Sequence, residues 1–189
     1  MTPKSLLRNP AAASPLSSFV AGTFQPVLDD SQAIDRRERV TRLIFCTGKV
    51  ALDLDASGDR AAADRVAIAR IEQLAPFQRT AISKVIGEYV NLQEIVWLQE
   101  EPRNMGAWTF VDSRLRELAG DMPVRYIGRP ERASPAEGAA DLHSQEQARI
   151  VSEAFSDVPD PAARSSNNNH EVRSRSKSTA TKTTTRSRS

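Results

Sequence analysis

Short apolar runs rich in β-branched residues alternate along this chain with stretches in which apolar residues recur every three or four positions. The runs are Val40 to Cys46, Val66 to Ile71, Ile95-Val96-Trp97-Leu98 and Val124-Arg125-Tyr126-Ile127. Their length and composition predict buried strands. Between and after them, Ile82, Val85, Ile86 and Tyr89 mark one face of a helix from about Arg79 to Tyr89, and Trp108, Val111, Leu115 and Leu118 mark another from about Ala107 to Leu118. A last helix is expected from about Asp141 to Phe155. One segment is ambiguous: Val50, Leu52 and Leu54 alternate with Ala51, Asp53 and Asp55, which is strand periodicity. Two parallel strands, however, need a crossover between them, so a short imperfect helix is the reading that fits its neighbours.

Strand and helix alternate with no hairpin signal between the strands. This predicts an α/β domain: a mostly parallel, twisted sheet of about four or five strands with helices on both faces. Leu43, Phe45, Ile68, Ile71, Ile95 and Trp97 are its expected core. At 189 residues there is room for one such domain plus tails. The composition divides the chain into an extended, linker-like segment over 1–35, the α/β domain over 36–158, and a Ser/Thr/Arg-rich tail over 159–189 that cannot offset the entropy of folding and is expected to be disordered.

Charge and cysteine content narrow the chemistry. No apolar run approaches the roughly 20 residues of a membrane-spanning helix, so no membrane association is expected. The single cysteine, Cys46, lies in an apolar run and has no partner for a disulfide. With only His143 and His170 besides, no metal site is expected. The net charge of +2 conceals an asymmetry: from Arg164 onward there are seven Lys or Arg and one acid, leaving nineteen basic and twenty-three acidic residues before it. The terminal RSRSKSTATKTTTRSRS could attract phosphates without reading sequence. It offers no aromatic residue for base stacking, so nucleic acid is not the expected partner. The opening segment has no acid before Asp29 and carries Lys4 and Arg8, a transit-peptide composition, yet Pro3, Pro10 and Pro15 break any amphipathic helix and leave an extended linker as the better reading.

Candidate chemistry gathers around Glu94 to Trp108, EIVWLQEEPRNMGAW. A buried strand ends there in polar residues, Pro102 is expected to stop it, and Gly106 permits a tight turn. In open α/β sheets sites form at that edge. Glu100 and Glu101 are adjacent, so on a strand they point to opposite sides and form no catalytic pair. Gln99, Glu100, Glu101, Asn104 and Trp108 are therefore candidates for an interface, with the surroundings of Trp108 expected to depend on neighbouring domains. Arg125, Arg129 and Arg132 are candidates for binding an anion, or for structural pairing. Thr47-Gly48-Lys49 follows the first strand but lacks the glycine-rich run of a phosphate loop. His143, with Gln147 one turn on, has no nucleophile elbow to serve and reads as a helix-end histidine.

The same residues carry a resemblance. TPKSLLRNP, GTFQPVL, Cys46-Thr47-Gly48-Lys49, VAIARIEQLAPF, QEEPRNMGAW, GRPERASPAEG and the His143/Gln147 pair occur in the order seen in the decarboxylating component of the 2-oxoglutarate dehydrogenase complex, covering roughly Pro3 to Phe155. The chain resembles its carboxy-terminal domain, of the transketolase C-terminal type. That family is a homodimer that uses thiamine diphosphate and magnesium to decarboxylate 2-oxoglutarate and passes the succinyl group to a lipoyl domain of the succinyltransferase, as part of the tricarboxylic acid cycle. The resemblance implies that the cofactors sit in the domains preceding this region, and the motif GDG followed by NN is not present in that context. It implies no catalytic, cofactor-binding or metal residue in this stretch. It also implies as partners the remaining domains, the dimer mate and the succinyltransferase, in a bacterial cytoplasm or, for a eukaryote, the mitochondrial matrix. Met105, Arg132, Ala51 and Asp55 depart from the family pattern. The competing expectation is a free-standing interaction protein whose basic tail binds anionic partners.

Overall fold

A computed structural model describes residues 4–160. Five strands form one sheet: β1 (Val27–Leu28), β2 (Arg42–Cys46), β3 (Val66–Ile71), β4 (Glu94–Pro102) and β5 (Val124–Arg129), in the order β1-β3-β2-β4-β5. β2 pairs in parallel with β3 and β4, β4 pairs in parallel with β5, and only β1 is antiparallel. The helices are α1 (Ser17–Val20), α2 (Val50–Asp55), α3 (Arg79–Gly87), α4 (Trp108–Ala119) and α5 (Ala140–Phe155). Among the described residues no helix is long and apolar enough to cross a membrane.

Alternation along the strands splits the core in two. Leu43, Phe45, Ile71, Ile95 and Trp97 pack with Ile82 and Val85 of α3 and Trp108, Val111 and Leu115 of α4. Ile44, Cys46, Val66, Ile68, Val96, Leu98 and Ile127 face the other way, against Val50, Ala51 and Leu54 of α2 and Ile150 and Ala154 of α5. Each sheet face is thus covered by two helices, as parallel strands require. All six expected core residues are buried, with Ile68 on the face opposite the other five.

The ambiguous segment after Lys49 is helical. Val50, Ala51 and Leu54 are its buried positions, so helical spacing overrides the apparent alternation. Cys46 lies wholly inside, and burial pushes its thiol up to about 12. We expect a thiol reagent at pH 8 to label it only as fast as the domain unfolds. Rapid labelling of the native chain, followed by mass spectrometry, would contradict this placement.

Two expectations need correction. β4 does stop at Pro102 as expected, but it is not confined to the apolar run ending at Leu98: it continues through the polar residues, because the ladder to β5 loses register between Leu98 and Pro102 and a bulge tolerates a residue without an N–H. The second correction concerns residues 26–40, within and beyond the stretch expected to be a linker. β1 adds an antiparallel strand to β3, too short for any periodicity to announce it. Beyond β1, the Asp30 carboxylate accepts the Ile68 N–H at 2.9 Å, and Arg36 and Arg60 donate to the Val66 carbonyl at 3.2 and 3.0 Å. Side chains thereby close the sheet edge where no strand reaches it. The expected disordered tail lies outside the described residues from 161 on.

Candidate functional site

The first parallel strand, β2, sends its chain to β3 on one side, and the chain then returns to β4 on the other. This is the switch point at which α/β sheets form sites. Lys49, from the turn after β2, ion-pairs there with Asp53 one turn along α2 and with Glu100 of β4 at 3.4 Å. Burial pulls the Lys49 ammonium down, but the Asp53 hydrogen bond and Glu100 outweigh it and hold the group above the ordinary lysine value. Gln147 of α5 donates to Asp53 at 2.8 Å and accepts from Arg129. Arg129 is buried and donates further to the Glu100 carbonyl and to His143 Nδ1, the latter at 3.2 Å. A guanidinium only donates, so Nδ1 of His143 is the acceptor. Glu137 takes Arg129 at 3.4 Å and pairs with Arg132.

Cations and carboxylates balance in this cluster: Lys49, Arg129 and Arg132 stand against Asp53, Glu100 and Glu137. The three candidate arginines do not converge. Arg129 and Arg132 share Glu137, whereas Arg125 sits apart, 3.8 Å from both Glu94 and Glu153. His143 and Gln147, one turn apart on α5, both serve Arg129. Glu137 and Asp53 were not foreseen. For Asp53 the signal was present, since Lys49 and Asp53 have the i, i+4 spacing of a helical ion pair.

The interface candidates separate by burial. Gln99 is almost fully buried: its Oε1 accepts from Trp97 Nε1 at 2.9 Å and from the Trp108 N–H at 3.0 Å. Its Nε2 donates to the carbonyls of Pro102 at 3.1 Å and Met105 at 2.8 Å. Gly106 has φ +64°, and a Cβ there would lie 3.0 Å from Gln99 Nε2 and from Glu101 Cβ, so the turn requires glycine twice over. Trp108, expected at an edge open to neighbours, is only 5% exposed and belongs to the core. Tyr126 packs on it with ring centroids 5.2 Å apart, and Arg103 lies over both rings. The polar sequence around Trp108 concealed this because its cover comes from β5, far along the chain. Asn104 is exposed, but its side chain clamps the Arg132 backbone, accepting from the N–H at 3.1 Å and donating to the carbonyl at 2.9 Å. Glu101 faces solvent and Glu100 faces Lys49, on opposite sides as the strand geometry requires.

A magnesium ion needs several oxygen ligands around one point. Among the described residues no three His, Cys, Asp or Glu side chains converge in that way, and two carboxylates at the switch point, Asp53 and Glu100, already meet the Lys49 ammonium. The described residues do not fit a magnesium site.

Comparison with known proteins follows the fold closely. Residues 13–155 match the family described as 2-oxoglutarate dehydrogenase C-terminal. The chain is 48% identical over 170 residues to the 2-oxoglutarate dehydrogenase E1 component of Exiguobacterium sp., covering 88% of this chain and 18% of that protein. It is 48% identical over 158 residues to the component of Shouchella clausii, covering 82% and 17%, and 47% identical over 153 residues to that of a Geobacillus species, covering 80% and 16%. The chain therefore spans less than a fifth of the length of these relatives. With the matched region taking in every strand and the helices on both faces, the chain belongs to the 2-oxoglutarate dehydrogenase C-terminal family.

Proposed function

We propose that this domain is the supporting C-terminal module of a thiamine-diphosphate-dependent component that decarboxylates 2-oxoglutarate and passes the succinyl group to the lipoyl domain of a succinyltransferase. Its task is to hold the catalytic domains and the dimer mate in place; the chemistry belongs to the domains that hold the cofactor. A bacterial cytoplasm, or the mitochondrial matrix of a eukaryote, is the compartment this reading implies. The observation that carries it is the family match over 13–155, the whole of the folded sheet, at under a fifth of the relatives' length. The ion-pair cluster at the switch point supports it, because Lys49, Arg129 and Arg132 are neutralised by carboxylates of the same domain.

The test uses the chain alone and as a replacement for the C-terminal module of the Exiguobacterium relative. With thiamine diphosphate, magnesium and 2-oxoglutarate, the isolated chain should show no turnover and the chimera should be active. Turnover by the isolated chain, or a chimera that folds but cannot decarboxylate, would overturn the reading.

A further inference from the structure

The segment preceding β1 is exposed without interruption from Leu7 to Gln25. That stretch nevertheless carries large apolar side chains: Leu7, Leu16, Phe19, Val20 and Phe24 are 69 to 79% exposed. Scattered apolar residues on a surface are ordinary, but these are not scattered. Leu16, Phe19 and Val20 have i, i+3, i+4 spacing on and beside α1, so they share one face of a helical turn. Phe24 follows two residues after Gly22, where the chain passes so close to the helix that a Cβ would lie 2.4 Å from the Ser18 carbonyl oxygen. The hydrogen bonds of residues 4–25 stay within four residues of one another, and the first bond to the sheet is made by the Pro26 carbonyl. A shaped apolar element is thus held out from the domain.

We infer that residues 16–24 are the docking element by which this module seats on the domains that precede it in the longer chains of its family. The inference rests on the reading above. Two observations select that occupant. The family match begins at residue 13, so the arm is part of the module even though nothing in the described module covers it. More than four-fifths of each relative lies outside the match, and a C-terminal module meets that remainder at its N-terminal end, where the arm stands. A tethered surface has a high effective concentration, so a few apolar anchors suffice to close such a contact. The arm has no acidic residue, and the segment leading into it carries Lys4 and Arg8, which suits an apolar groove with an acidic rim.

Hydrogen exchange on the 189-residue chain and on the active chimera tests this. Residues 16–24 should exchange freely in the isolated chain and at least about tenfold more slowly in the chimera. The double variant Phe19→Ser/Phe24→Ser should leave the melting temperature of the isolated chain unchanged, since those rings are 74 and 69% exposed in it, and should lower that of the chimera and restore fast exchange to the arm. An active chimera whose arm exchanges as freely as in the isolated chain would overturn the inference and leave the functional reading standing. A chimera that folds but is inactive would overturn both. Protection of 16–24 in the isolated chain together with dimeric sedimentation would instead assign the arm to a second copy, and so overturn the inference.

Discussion

Replacing Arg42 by alanine is expected to cost the fold about 3–5 kcal/mol, the usual penalty for stranding the partner of a buried ion pair. Arg42 is fully buried in β2, where its Nε donates to Glu94 of β4 at 2.5 Å. Its two terminal nitrogens donate to the carbonyls of Ala154 at 2.8 Å, Ser156 at 2.6 Å and Asp157 at 2.8 Å, the open end of α5. One side chain therefore joins two strands and satisfies carbonyls that a helix leaves unpaired at its C-terminus. Without it, the ion pair left to Glu94 among the described residues is the one with Arg125, at 3.8 Å. Domain stabilities are typically about 5–15 kcal/mol, so Arg42→Ala should unfold at far lower urea concentration, with α5 the first element to lose exchange protection. The double replacement Arg42→Met/Glu94→Leu should recover part of the loss, because it removes the stranded charge as well. A midpoint within experimental error of the parent for Arg42→Ala would show that the clamp contributes nothing.

Gln99→Leu should lose about 2–4 kcal/mol, since it leaves several buried groups unpaired at about 1–3 kcal/mol each before relaxation. The indole N–H of Trp97, the N–H of Trp108 and the carbonyl of Met105 lose their partner, while the Pro102 carbonyl keeps the Met105 N–H at 2.8 Å. The change should be visible in tryptophan fluorescence, because both indoles adjoin the site. Gln99→Glu makes the sharper test: a carboxylate can still accept from Trp97 and Trp108 but turns a second oxygen toward two carbonyls. Its folded-state pKa should be raised by burial and by those carbonyls, so the stability deficit is smallest in acid and grows as pH rises through the carboxylate range. A deficit independent of pH would place the side chain in a wetter setting than the one described.

These two residues show what made parts of the fold legible. The four main strands and the helices α3, α4 and α5 were readable because period 2 and period 3.6 record which face of an element meets the core. Arg42 broke its apolar run openly, as a charge inside VTRLIFC, yet nothing local named its acceptors. Those lie at Glu94 and at 154–157, more than fifty and more than a hundred positions away. Gln99 and Trp108 were noticed for the right reason, polar and aromatic residues at a strand end, and were assigned outward when both are turned inward. The bulge after Leu98 and the ring of Tyr126 make that difference, and neither has a local sequence signal.

By itself the sequence determined the α/β class, the alternation that buries both sheet faces and, through ordered motifs, the family. Local patterning suffices for these because burial acts on each element separately. Tertiary structure alone decided which charges meet across the sheet. It brought Lys49, Asp53, Glu100, Arg129, Glu137 and Gln147 from four segments into one balanced cluster, turned Trp108 into core, and left the apolar arm at Leu16 to Phe24 uncovered. Pairing of charges and covering of surface depend on distances across the sheet, which strand order and register set and which no stretch of residues encodes alone.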